Sequence, residues 1–220
     1  MPAKTSAAKR PASKKTRAGQ EPGVAALDRI IDASLAEAAA VGWRRLTMDA
    51  VADRAGIALG EVLLQAPGKT YLALAFLARI DARTLGPVKR IDLADSPRDR
   101  LFEILMRRFD ALNQTRDGAR AVVGGAARDP AAALALLCRL DRSCAAMLEA
   151  AGISSGGLLG LVRIKGLKLV AACGLYAWMG DDSADLAKTM AAVDRALNRA
   201  EKLAGMTTFR RTASAEDRAG

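Results

Sequence analysis

The sequence predicts an all-α fold, and three observations point to it. Between Val24 and Leu203 the apolar residues recur at the three- and four-residue spacing of helices, with no alternating run that reads as a strand. Two cap-plus-proline pairs, Ser96-Pro97 and Asp129-Pro130, each open such a period. Glycines then stand where periods end, as at Gly42, Gly56 and Gly152. A hydrophobic fraction of 51% with a mean hydropathy of +0.08 suits a globular chain of 220 residues with a sizeable core.

Leu27, Ile30, Ile31 and Leu35 mark the inner face of a first helix, ended by Gly42. Thr47 caps a second, with Val51 and Ala52 inward, which closes at Gly56. A short third helix runs from about Leu59 to Gln65 and stops at Pro67-Gly68. Lys69 opens a longer segment through Arg83, with Leu72, Phe76 and Ile80 at helical spacing. After Ser96-Pro97, the residues Leu101, Ile104, Leu105, Arg108 and Leu112 form one stripe. The next helix, Gly118 to Arg128, is weakened by Gly124 and Gly125, each costing roughly 1 kcal/mol relative to alanine. Asp129-Pro130 begins a strong helix through Leu134, Leu137, Leu140, Cys144 and Leu148. Leu158 to Trp178 is glycine-rich, and Asp182-Ser183 caps a last helix with Leu186, Met190, Val193 and Leu197 on one face. That makes about nine helices with short connections, a helical bundle.

Composition then removes whole classes of chemistry. The chain has no histidine, so no imidazole can serve as a general base or metal ligand, and His-based triads and most zinc enzymes drop out. No nucleophile–base pair, metal cluster or phosphate loop is present, so the reading is of a protein that is not an enzyme and carries neither metal nor cofactor. Three cysteines, Cys138, Cys144 and Cys173, without a C-x-x-C spacing fit small buried residues in a reducing cytoplasm. The opening residues lack the apolar core of a signal peptide, and the longest uncharged apolar run, Leu169 to Gly180, is too short to span a bilayer.

Charge is unevenly placed. Lys and Arg number 34 against 24 Asp and Glu, a net +10. Residues 1–20 hold Lys4, Lys9, Arg10, Lys14, Lys15 and Arg17 and no acid. Such a Pro/Ala/Ser/Lys segment cannot bury enough apolar surface to order itself, and it suits a polyanion through counterion release. The expected organisation is a basic tail over 1–22, a three-helix head over 23–70, a helical bundle over 71–203 and a second tail over 204–220.

The second and third helices, with the tight turn at Gly56, have the length of a helix-turn-helix, whose second helix enters the DNA major groove. Gly42-Trp43, Leu46-Thr47-Met48, Val51-Ala52, Ala55-Gly56-Ile57, Gly60 and Pro67-Gly68-Lys69 together resemble the DNA-binding head of tetracycline-repressor-type (TetR) regulators. The resemblance implies a homodimeric regulator on a double-stranded DNA operator, with a C-terminal bundle for ligand binding and dimerisation. By position it implies that Thr47, Lys69, Arg44 and Arg45 contact phosphates; the charge of the tail adds Lys14, Lys15 and Arg17 to them. Ala58, Leu59, Glu61, Leu63, Leu64 and Gln65 then face base edges, and Gln65 can pair bidentately with adenine. This helix departs from the family pattern, having Leu63, Leu64 and Ala66 where bulky aromatic or polar residues are usual. Residues 24–70 hold five basic and six acidic side chains, a net −1, which leaves long-range attraction to the tail.

Near the other end, Tyr176-Ala-Trp178, Asp181-Asp182-Ser183, Asp185, Thr189 and Asp194-Arg195 are similar to the final helices of lipid-binding accessory proteins of ubiquinone biosynthesis. That likeness implies an alternative, a lipid- or isoprenoid-binding accessory protein of repressor-like fold that does not read DNA. In either case an apolar or lipid-like small ligand is expected among Met106, Phe109, Met147, Leu175 and Trp178. The expected dimer face comprises Gly166, Val170, Gly174, Leu186, Met190, Val193 and Leu197.

Overall fold

The computed structural model describes residues 22–89 and 94–216. Over them the chain forms nine helices and no strand: α1 (Pro22–Val41), α2 (Met48–Ala55), α3 (Leu59–Gln65), α4 (Lys69–Leu85), α5 (Pro97–Asn113), α6 (Arg116–Ala126), α7 (Pro130–Ala150), α8 (Gly157–Met179) and α9 (Ala187–Glu216). The all-α architecture read from the sequence is the one adopted. The basic tail, including Lys14, Lys15 and Arg17, lies outside the described residues.

Local chemistry explains most of the boundaries. Ser96 Oγ accepts from the backbone N–H of Asp99, and Asp129 Oδ1 accepts from those of Ala131 and Ala132, so α5 and α7 begin at their prolines. Gly56, at φ 62°, closes α2 with its N–H bonded back to Ala52 and Asp53. Some boundaries differ from expectation. Helix α6 begins at Arg116 rather than Gly118, and α9 runs on to Glu216, past residue 203.

Helices α1 to α3 form the head, and α4, α5, α7, α8 and α9 form the bundle, around one continuous apolar core. Helix α6 joins the two by lying along α1. Gly118 and Gly125, the second of them expected to weaken the helix, make that approach possible. A Cβ on Gly118 would stand 2.6 Å from the Leu35 carbonyl oxygen, and one on Gly125 would stand 2.7 Å from Cγ of Trp43. Helix α4 adds a polar tie, because Arg79 reaches α1 to pair with Asp32 at 2.7 Å and Asp28 at 3.9 Å.

Inside the bundle Asp81 of α4 is a buried acid held from three sides. It pairs with Arg108 of α5, lies 2.7 Å from Arg139 of α7, and accepts from Ser143 Oγ at 2.7 Å. A buried carboxylate is tolerable only when so paired. Cys144 is buried one residue on, and desolvation pushes its thiol up to about 11, so it is a packing residue with little thiolate.

The α8–α9 corner corrects one expectation. Of the expected Asp182-Ser183 cap, Ser183 does serve, its Oγ accepting from the backbone N–H of Ala187 at 3.0 Å, but the residue that anchors α9 further in is Asp181. Its buried carboxylate accepts from the backbone N–H and hydroxyl of Thr189 at 2.8 and 2.7 Å, and from the backbone N–H and hydroxyl of Ser183. Leu186, between the two bonded residues, sits at φ 55°, a left-handed conformation uncommon for leucine. Burial pulls the Asp181 carboxyl upward, but the bonds from Ser183 and Thr189 outweigh it and hold the group well below the ordinary carboxylate range.

Two predictions follow from this packing. Gly118→Ala should destabilise the chain by about 1–3 kcal/mol in urea unfolding, despite alanine's better helix propensity, because Leu35 must move. A gain in stability would contradict the close approach. Asp181 contributes stability when ionised, so its contribution is complete above the ordinary carboxylate pKa of about 4 and declines as pH falls below that. Asp181→Asn should cost about 2–3 kcal/mol at neutral pH and flatten the acid limb of the stability profile, measured by circular dichroism.

Candidate nucleic-acid interface

The head is built so that one short helix stands on a fixed support. Trp43 and Leu46 are buried in the turn after α1, which places Thr47 at the start of α2. Thr47 Oγ1 accepts from the backbone N–H of Ala50 at 3.2 Å, with Asp49 in the first turn. Ile57 N–H bonds to Ala52 O at 3.2 Å, folding the chain back after Gly56 and setting the angle at which α3 leaves α2. Val62 and Ala66 are completely buried and anchor α3 to the core.

What remains of α3 points outward. Leu59 and Leu63 are exposed at 38% and 40%, Leu64 at 88%, Ala58 and Glu61 are exposed, and Gln65 is half-buried. Of the positions that could have undone a reading face, Ala66 packs inward while Leu63 and Leu64 do not. Arg44 and Arg45 are exposed in the preceding turn. Lys69, at the start of α4, donates from Nζ to the Arg44 carbonyl at 3.3 Å, bringing the α4 end beside that turn. Thus the start of α2, the α1–α2 turn, the start of α4 and the outer side of α3 share one region of the head.

Electrostatics here differ from the count of residues 24–70. Arg54 pairs with Glu37 at 2.8 Å, and Arg29 donates to the Ala55 carbonyl at 2.6 Å, so these cations are structural. Two of the acids, Asp28 and Asp32, are partnered by Arg79 of α4, which the segment count omits. The exposed Arg44 and Arg45 and the half-buried Lys69 therefore stand in a head where Asp28, Asp32 and Glu37 are already matched.

Other expected positions fall differently. Phe109, Met147 and Trp178 are buried, and Met106 and Leu175 are half-buried against the same core. An open cleft of about 820 Å³ lies elsewhere, between the end of α4 and α5, lined by Ala82, Arg83, Gly86, Pro87, Arg107, Asp110, Ala111 and Gln114. The dimer stripe also needs correcting. Val170, Leu186, Val193 and Leu197 are buried inside their own subunit, and Gly174 lies against Phe109 and Val193. Gly166 and Met190 alone of that set remain at the surface. Apart from Arg163, Lys165 and Lys168, helix α8 carries apolar residues on every side, so the sequence could not tell its inner face from its outer one. The outer side carries Leu158, Val162, Leu169 and Tyr176 at alternating four- and three-residue steps through Lys165 and Ala172, beside Leu134 and Leu137 of α7.

Among the described residues no single helix is long and apolar enough to cross a membrane; the pair α6 and α7 reaches that length and composition only together, bent by 116°.

No protein-family model and no curated protein matches the sequence. Solved structures do match the fold. A TetR transcriptional regulator from Nitrosomonas europaea superposes with a TM-score of 0.66 at 23% identity, over 80% of this chain and 97% of that one. One from Rhodococcus sp. RHA1 gives 0.63 at 23% identity, over 82% and 97%. The transcriptional regulator FadR from Bacillus subtilis, solved in complex with stearoyl-CoA, gives 0.52 at 19% identity, over 79% and 96%. With its three-helix head and its bundle in place, the chain has the fold of the TetR transcriptional regulators.

Proposed function

We propose that this protein is a dimeric, DNA-binding transcriptional regulator of the cytoplasm, controlled by a small ligand and without catalytic activity. The observation that supports this reading best is the outer side of α3. Val62 and Ala66 fix it from below, and Leu59, Leu63 and Leu64 are exposed beside half-buried Gln65. Arg44, Arg45 and Lys69 flank it as phosphate contacts, together with the N-terminal amides of α2 at Thr47. On this reading Gln65 pairs with adenine, and the leucines touch thymine methyls. Leu158, Val162, Leu169 and Tyr176 of α8 form the face against a second copy. That face replaces the stripe expected from the sequence, and it sets two heads on successive turns of an operator. An apolar ligand would act by binding one spacing of the heads better than the other.

The test is a salt titration of binding to the DNA upstream of the chain's own gene, with and without residues 1–20. A site-preferring complex should survive removal of the tail with a shallower salt slope. Loss of all preference with the tail would overturn the reading. Lys69→Ala should weaken every sequence alike and lower the slope by about one, whereas Gln65→Ala should cost about 1–3 kcal/mol at one base pair. Leu169→Glu with Tyr176→Glu should convert a dimer to a folded monomer in analytical ultracentrifugation, and an unchanged dimer would exclude this face.

A further inference from the structure

Helix α6 turns one side to the head and another to the α8–α9 corner, where Arg116 and Arg120 stand one turn apart. Both guanidinium carbons lie 5.8 Å from the ring centroid of Trp178. Trp178 is completely buried, and among the described residues nothing accepts from its indole Nε1–H. Nε of Arg120, on the guanidinium that stands over that ring, is also buried without a partner. Orphaned buried polar atoms are uncommon singly, and here two belong to side chains in contact.

The charge is also uneven. One oxygen of Asp182, Oδ1, lies 3.1 Å from Nη2 of both arginines and serves the two cations at once. Asp182 itself is 83% exposed, and so loosely solvated a partner is readily displaced. Asp181 beside it is committed to Ser183 and Thr189. Meanwhile Asn113 Oδ1 accepts from Arg116 Nη1 at 2.8 Å, and the Trp178 carbonyl accepts from Arg120 Nη2 at 3.4 Å, so both guanidinium groups are positioned beforehand. Indole and guanidinium groups can only donate, which excludes cations and amines as occupants.

We propose that Arg116, Arg120 and Trp178 form a binding site for a compact oxyanion, a carboxylate or phosphate group, which displaces Asp182 from the two arginines. Two planar guanidinium groups suit the paired oxygens of such a group. The site is separate from the outer side of α3 and does not depend on DNA reading.

Trp43→Phe leaves Trp178 as the single tryptophan, so its emission in the full chain reports the site. Titration with sodium phosphate, acetate and octanoate, at ionic strength fixed with chloride, should give a saturable change that chloride does not. Calorimetry on the natural chain should give the same affinity. Tighter binding of octanoate than of acetate assigns the site to the head group of an amphiphile, and equal binding assigns it to a free anion. Arg116→Gln and Arg120→Gln should each weaken binding about tenfold or more. Asp182→Asn, which keeps both arginines, should strengthen it several-fold and carries the test if the glutamine variants fail to fold. No saturable response, an equal response to chloride, or an Asp182→Asn chain that binds no more tightly would overturn the proposal.

Discussion

Two glycines on α6 let that helix lie against α1 and against the indole of Trp43 at distances no side chain would permit, and the orientation of the head depends on this approach. Trp43 and Leu46 are buried just before Thr47, so the same contact settles where α2 begins and, through Gly56, where α3 points. A helix of seven residues has little stability of its own. Its position is inherited from Val62 and Ala66 below it, and theirs from the contact between α1 and α6.

The fold was legible because its signals are local. Cap-plus-proline pairs, helix-ending glycines and apolar spacing each act within a few residues, and the helices they announce are the ones that form. What escaped the sequence depends on direction in space. Leu134 and Leu137 share the helical stripe of Cys144 and Leu148, yet the first two lie on the surface and the last two in the core. On α8 the displacement is a single residue: Val170 and Gly174 face inward, and Leu169 and Cys173 face outward. A segment with apolar residues on every side carries little periodic mark of its orientation.

The head shows a similar division. Exposure of Leu63 and Leu64, with burial of Val62 and Ala66, agrees with a four-residue turn of helix. The roles of its charges did not emerge from counting. Arg29 and Arg54 are consumed by contacts within the head, whereas Arg79, a residue of the next helix, supplies the balance for Asp28 and Asp32. Asp181 was overlooked as a cap because its nearest bonded helical residue lies eight positions on, beyond the window in which capping is read from sequence.

Arg79 has an implication for how the molecule can be divided. Cut before α4, an isolated head would keep Asp28 and Asp32 but lose the cation that neutralises them, and Trp43 would lose Gly125 as its seat. Such a fragment would be more acidic than the head within the whole chain and would repel a polyanion that the intact protein tolerates. The head is thus a unit of shape but not of charge, and its electrostatic character belongs to the longer polypeptide.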